Sequence, residues 1–390
     1  MHLITYERGH LEGMCAGYNA QAAGEPHIAP LAPDLFLQFV EAKSHFDPAG
    51  LFLALEGGDV IGWIHACVAP SSEPWQEGDT GAPRICMLVY PPNRPEVGVA
   101  LVREGTAWLS QQASDDIEAL HYSHGYPFYR GLWMGGEPMN PTSLPHLHTA
   151  LDCGGYKADV ESVFMVGHLE SPPETPSPSL TIEFEEAPTQ MAHAGMRESW
   201  AGLMPMTVRA LRDGASVGEI GWVLLPQVAP KLGAPCANIW SLSVREEHRR
   251  KGVASALVSR VLSQAYHCGA GFGSVGTQLW NKPAHRTYAR FGFRPHCLMI
   301  GRKLSPQPHP AGCSSEHIAR AKAGPQRTAA GCAGRARNTA AARGHCVVAG
   351  AWLICLTNAD ALHPVARGVS TAAALRRERT RCGTSRSCCP

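Results

Sequence analysis

Two stretches of the chain show the same rhythm of apolar and polar positions. Leu51 to Val68 reads LFLALEGGDVIGWIHACV, two apolar runs joined at Gly57-Gly58. Val208 to Leu225 reads VRALRDGASVGEIGWVLL, two runs joined around Asp213-Gly214. Each pattern predicts a β-hairpin, because glycine supplies the backbone angles a tight turn requires. The segments after the two hairpins also repeat in order. Met87-Leu88-Val89, a loop, then Gly98-Val99-Ala100 and a helical period parallels Leu242-Ser243-Val244, a loop, then Gly252-Val253-Ala254 and a helical period. Ile61-Gly62-Trp63 falls opposite Ile220-Gly221-Trp222. A duplicated α/β unit is the economical explanation.

Between the repeats lies SPPETPSP, Ser171 to Pro178, whose prolines predict a stiff, extended linker. It separates a first domain, 1–170, from a second, 179–302. Residues 303–390 differ in kind. They are rich in Ala, Arg, Gly and Cys, hold Trp352 as their one aromatic residue, and sustain no period of 3.6 or 2. Such a segment cannot bury a core, so it is expected to be disordered.

Charge follows the same division. The tail carries a net +10 and the body a net −9, although the whole chain sums to +1. No aromatic residues alternate with the tail arginines as stacking platforms, so nucleic acid is not expected as a partner. The longest apolar run, Cys346 to Leu356, is too short to span a bilayer, and the first residues lack a signal-peptide pattern. A cytoplasmic protein with reduced thiols is expected. The 14 cysteines include no CxxC pair and no zinc-site spacing, so no metal is expected.

The candidate chemistry lies in residues 238–269. Asn238 to Val244 predicts a strand. From Gly252 the positions Val253, Leu257, Val258, Val261, Leu262 and Ala265 follow a helical period, which Gly269 ends. Arg249-Arg250-Lys251-Gly252-Val253-Ala254 joins the two. A strand, a basic glycine-containing loop and a helix start form an anion site, since free N–H groups and the positive end of the helix dipole face the ligand.

This segment resembles the GNAT superfamily of acetyl-CoA-dependent N-acetyltransferases. The signature of Arg or Gln, two residues, Gly, one residue, then Gly or Ala is present as Arg249, Gly252 and Ala254. A second family element follows a candidate strand at Ser274 to Leu279. It includes Asn281, Ala284, Tyr288, Gly292 and Phe293. The resemblance implies tandem α/β (α+β) folds. Each would be a mixed, mostly antiparallel, splayed sheet flanked by helices. It further implies that Leu242, Ser243 and Val244 pair with the pantetheine arm of acetyl-CoA, that residues 249–254, Val253 among them, cradle its pyrophosphate, and that Asn281 contacts the arm. Tyr288 would be the general acid at the thioester sulfur. Asn281 has a structural alternative as a helix cap, and Tyr288 one as a half-buried aromatic.

The implied reaction is direct attack of an amine on the thioester, with an acceptor and an oligomeric state the sequence leaves open. The family often has a carboxylate where this chain has Asn238, which cannot act as a base. Glu219, in the preceding strand, is the nearest alternative, beside a water-mediated route. The first domain departs further. Arg94-Pro95-Glu96 replaces the basic loop, which removes a donor and adds a repelling charge, and Leu151 stands at the position of Tyr288. It is read as a degenerate copy that shapes the acceptor cleft. The alternative for the whole chain is a non-catalytic protein that binds acyl-CoA or a partner.

Overall fold

The computed structural model describes residues 1–69, 82–112, 116–121, 128–134, 139–174, 178–191 and 194–305. The tail expected to be disordered lies outside them from residue 306 onward. The first half runs β1 (His2–Thr5), α1 (Leu11–Gln21), α2 (Pro33–Phe36), β2 (Leu51–Glu56), β3 (Asp59–Ala69), β4 (Ala82–Val89), α3 (Pro95–Gln112), β5 (Ile117–Ala119), β6 (Asn140–Pro141), α4 (Pro145–Cys153) and β7 (Lys157–His168). The second runs β8 (Glu183–Pro188), α5 (Ala194–Ser199), β9 (Met206–Arg212), β10 (Ala215–Leu225), α6 (Ala229–Leu232), β11 (Cys236–Val244), α7 (Val253–His267), β12 (Phe272–Gln278), α8 (Lys282–Ala289) and β13 (Arg294–Leu304). None of these helices is long and apolar enough to cross a membrane.

Both hairpins form where the pattern places them. β2 pairs with β3 through Gly57 and Gly58, and β9 pairs with β10 through Asp213 and Gly214. All four turn residues hold positive φ. The described strands make one open, mostly antiparallel sheet in the order β1-β2-β3-β4-β5-β13-β7-β12-β11-β10-β9-β8, with β6 beside β13.

That order carries a strand exchange. β13, the last strand of the second half, lies between β5 and β7 of the first, and β7 pairs in turn with β12. The division at Ser171–Pro178 is therefore a division of the chain, and the sheet continues across it. β13 also extends to Leu304, so Lys303 and Leu304 belong to a strand paired with Glu118 and Ile117, not to the tail that was expected to begin at Lys303.

The Pro-rich stretch, expected as a spacer, packs on α7 in its described part. The Ser259 hydroxyl reaches the Glu174 carbonyl at 3.3 Å, and the Ser179 N–H donates to the Lys251 carbonyl at 3.1 Å. The chain leaves β7 in the middle of the sheet and must reach β8 at its edge, and α7 covers the face between them.

Two apolar cores result. Val208, Ile220, Ile239, Val261, Leu262 and Phe293 fill the space between the second half's strands and α7. The first half's core, with Trp63, Leu101, Val102 and Phe164, reaches Val223, Leu225, Cys236 and Trp200 of the second half. Each fully buried side chain of this kind contributes about 1.5–3 kcal/mol.

Candidate active site

β11 and β12 begin as parallel neighbours, Cys236 to Ile239 against Phe272 to Val275. The ladder then ends. A bulge at Trp240 separates the pairs Trp222–Ile239 and Gly221–Ser241. Beyond it Ser241 to Val244 stay on β10, while Gly276 to Gln278 stay on β7. The strands part, and among the described residues their facing edges keep backbone N–H and C=O groups with no strand partner. Gly221 makes the bulge possible, since a Cβ there would lie 2.4 Å from the Trp240 ring. The Gly of the repeated Ile-Gly-Trp motif thus serves close packing. Below the parting point, Asn238 is buried and donates from Nδ2 to Ser274 Oγ at 3.1 Å, which fastens β11 to β12.

At the outer end of β11 the chain turns through Glu246–His248 into the basic loop. Arg250 and Gly252 hold φ of 61° and 86°, and Gly252 is the N-cap of α7. The first helical bond runs from Ala256 N–H to the Gly252 carbonyl, so the N–H groups of Val253, Ala254 and Ser255 have no acceptor within the helix. They face a cavity of about 770 Å³ lined by Val244, Arg249, Arg250 and Gly252 on one side and by Arg286 and Thr287 of α8 and its C-cap Arg290 on the other. Arg249 is steadied by a 3.2 Å bond from Nε to the Val244 carbonyl. Arg286 and Arg290 were not among the residues singled out from the sequence. Their spacing of four, which puts both on one face of α8, was the signal that could have found them.

The other expected residues are placed less directly. Leu242 and Ser243 lie on the parted stretch but do not line the cavity, and Lys251 uses its carbonyl to hold Ser179. Asn281 is the N-cap of α8, its Oδ1 accepting from Ala284 N–H at 3.3 Å. Tyr288 is buried in the core between α7 and the sheet, its ring 5.7 Å from that of Phe293. Burial pushes its hydroxyl well above the usual phenol range, so it stays protonated. Glu219 is exposed, pairs in register with Ser243 and lies 3.7 Å from Arg209. It lies three residues along β10 from Trp222, where the bulge begins.

The family comparison matches the segment that holds these parted strands and the basic helix start. Residues 170–293 match the model of the acetyltransferase (GNAT) family. This segment is a GNAT domain. Among solved structures, a GCN5-related N-acetyltransferase from Sphaerobacter thermophilus is similar at 14% identity. The match covers 78% of this chain and 95% of that one, with a TM-score of 0.54. A tandem GNAT protein from the clavulanic acid biosynthesis pathway is similar at 15% identity, 78% and 98% coverage and a TM-score of 0.54. At such identities the likeness is one of fold. No curated protein matches the chain.

The first half repeats the order of strands and helix seen in the second, with different residues at the matching positions. β4 and β5 pair at Arg84–Glu118 and Ile85–Ala119, and Leu120 N–H adds one more bond to the Ile85 carbonyl. Beyond that, the free edge of β4 is met by a side chain. Gln21 donates from Nε2 to the Leu88 carbonyl at 3.0 Å and accepts from Tyr90 N–H at 3.1 Å. Arg94 is tied to both Glu56 and Glu96. The Tyr90 ring lies on Gly98, where a Cβ would be 2.3 Å from Cζ. The helix start that faces a basic cavity in one half has the Tyr90 ring packed on its Gly98 in the other.

Proposed function

We propose that the protein is an N-acetyltransferase that passes the acetyl group of acetyl-CoA to an amine of a small molecule or peptide. The observation that carries this reading is the continuity of the parted β11–β12 edges with the cavity walled by Arg249, Arg250, Arg286 and Arg290. An extended amide-bearing arm pairs with strand edges, and phosphates need N–H groups and guanidiniums. In this reading the exposed backbone of Leu242, Ser243 and Val244 aligns the pantetheine arm, and residues 249–254 hold the pyrophosphate. Asn281 fixes the start of α8 beside the arm.

The amine nitrogen attacks the thioester carbonyl, and the C–S bond breaks as the new C–N bond completes. Tyr288, kept protonated by burial, supplies the proton to the departing sulfur, and the nitrogen gives up the proton that restores the hydroxyl as the amide forms. An alkylammonium has a pKa near 10.4, so its proton must first be removed. We assign that to water linked to Glu219, because Asn238 is an amide locked between strands. The acceptor side is formed with the first half. Trp240 meets Trp200 at 5.5 Å, and the Arg130 guanidinium lies 4.3 Å from the Trp200 ring.

The test is calorimetry with acetyl-CoA, followed by assay of free CoA thiol with polyamines, aminoglycosides, amino acids and peptides. Saturable binding with amine-dependent thiol release supports the reading. Binding without turnover on any amine favours the alternative, a protein that only holds acyl-CoA, for which Asn238 is the specific argument.

A further inference from the structure

The first half contains a cavity that the acetyl-transfer reading does not use. It has a volume of about 680 Å³, close to that of the cofactor cavity, and occupies the matching place in the fold. The end of β4, the start of α3 and α4 surround it, with α1 closing one side. Its chemistry is the reverse. Among the described residues that line it there is no Lys, Arg, Asp or Glu. Val60, Ile61, Val89, Leu144 and a set of prolines make most of the wall, and Gln21, Ser143, His146 and Thr149 are the polar groups.

These polar groups converge at one end. His146 Nε2 lies 3.2 Å from Gln21 Oε1, its ring is 5.0 Å from the Tyr90 ring, and its backbone carbonyl accepts from the Tyr90 hydroxyl. Burial holds His146 below the usual imidazole range, so it is neutral at pH 7. Arg94, next in the chain to the lining residue Pro95, is held by Glu56 and Glu96. A phosphate or carboxylate entering here would lose its hydration and gain no counter-charge, whereas apolar surface gains by leaving water.

We infer that this cavity is a binding site for an uncharged, predominantly apolar small molecule that presents one hydrogen-bonding end to Gln21 and His146. Its size and its mostly apolar wall with a few converging polar groups are those of small-molecule sites. The duplicated unit thus keeps two cavities of similar size, one for a polyanion and one for a neutral molecule.

Fluorescence titration of the full chain with the neutral probe N-phenyl-1-naphthylamine tests this. Gly17→Leu fills the cavity, because a Cβ there meets only Val89 Cγ1 at an ordinary 3.6 Å, and it replaces a glycine within α1. Thr149→Asp places a charge on the wall and serves as the second variant if Gly17→Leu does not fold. Saturable binding of one probe per chain is expected. Either variant should weaken it about tenfold or more, with acetyl-CoA affinity kept and saturating acetyl-CoA changing the probe's affinity less than twofold. Absence of saturable binding, equal binding in the folded variants, or displacement by acetyl-CoA would each overturn the inference. So would two acetyl-CoA sites per chain with one lost in Gly17→Leu.

Discussion

Gly252 and Gly269 allow the proposed role of the loop before α7 to be tested against an internal control. Both flank α7 and both hold φ of +86°. Replacing either with Ala places a Cβ in the left-handed region, at a cost of about 1–2 kcal/mol. At Gly269 nothing lies within 4 Å of the new methyl group. At Gly252 it would sit 3.0 Å from Pro178 Cα, so the loop gains a second reason to move. The free protein can relieve the strain by rotating out of the left-handed region, which re-aims the N–H groups of Val253 and Ala254. Binding a pyrophosphate must then restore the original angles. The affinity lost is bounded by the strain relieved, so Kd for acetyl-CoA should rise roughly 5- to 30-fold in Gly252→Ala. Gly269→Ala carries the same backbone strain outside the site. It should lower Tm by about 2 °C per kcal/mol with Kd unchanged. Calorimetry on both variants, each with its melting curve, is the assay. Equal Kd changes in the two, or an unchanged Kd in Gly252→Ala, would refute the assignment of residues 249–254 as the pyrophosphate cradle.

Removing both cavity arginines of α8, Arg286→Ala with Arg290→Ala, should weaken acetyl-CoA binding about tenfold at low salt. The difference should shrink near 1 M salt, where screening acts within about 3 Å, and a salt-independent difference would contradict a charge contact. Tyr288→Phe keeps the ring against Phe293, so Tm and acetyl-CoA affinity should hold while kcat falls by about 10²-fold or less. A wild-type kcat under rate-limiting chemistry would remove the hydroxyl from the mechanism. Burial holds the His27 pKa at about 4 and that of His65 at about 3, against an unfolded value near 6.5. The unfolded chain therefore takes up these protons first. Stability present above pH 6.5 should be lost as pH falls toward 4, and a Tm level across that range would show that these rings are not neutral in the fold.

Local chemistry was legible because it is written in short spacings. The glycine-marked turns of both hairpins, the basic loop ahead of α7 and the helix stop at Gly269 each depend on a few consecutive residues. For the same reason the cap role of Asn281 could be named beside its functional one. Glu219 was picked from its strand, but its ion pair with Arg209 on the neighbouring strand was not legible there. Which partner a strand residue meets depends on register, and one sequence does not state register.

The repeat itself was visible, but its symmetry was overread. Gly98 matches Gly252 in position, and only the packing shows the Tyr90 ring lying on it, 2.3 Å from where a Cβ would be. Gln21 is an ordinary residue at the end of α1 until tertiary contact brings it to the edge of β4. The exchange of β7 and β13 between the halves was invisible for a related reason. A β-strand's partners are chosen by long-range closure, and an apolar run reads the same whichever neighbour completes its ladder. Sequence alone determined that the chain repeats a hairpin, strand and helix and that one copy carries a basic, glycine-containing turn before its helix. Tertiary structure decided which copy leaves its strand edge unpartnered, because Gln21, remote in sequence, hydrogen-bonds the edge of β4 while the edge of β11 runs on into the basic cavity.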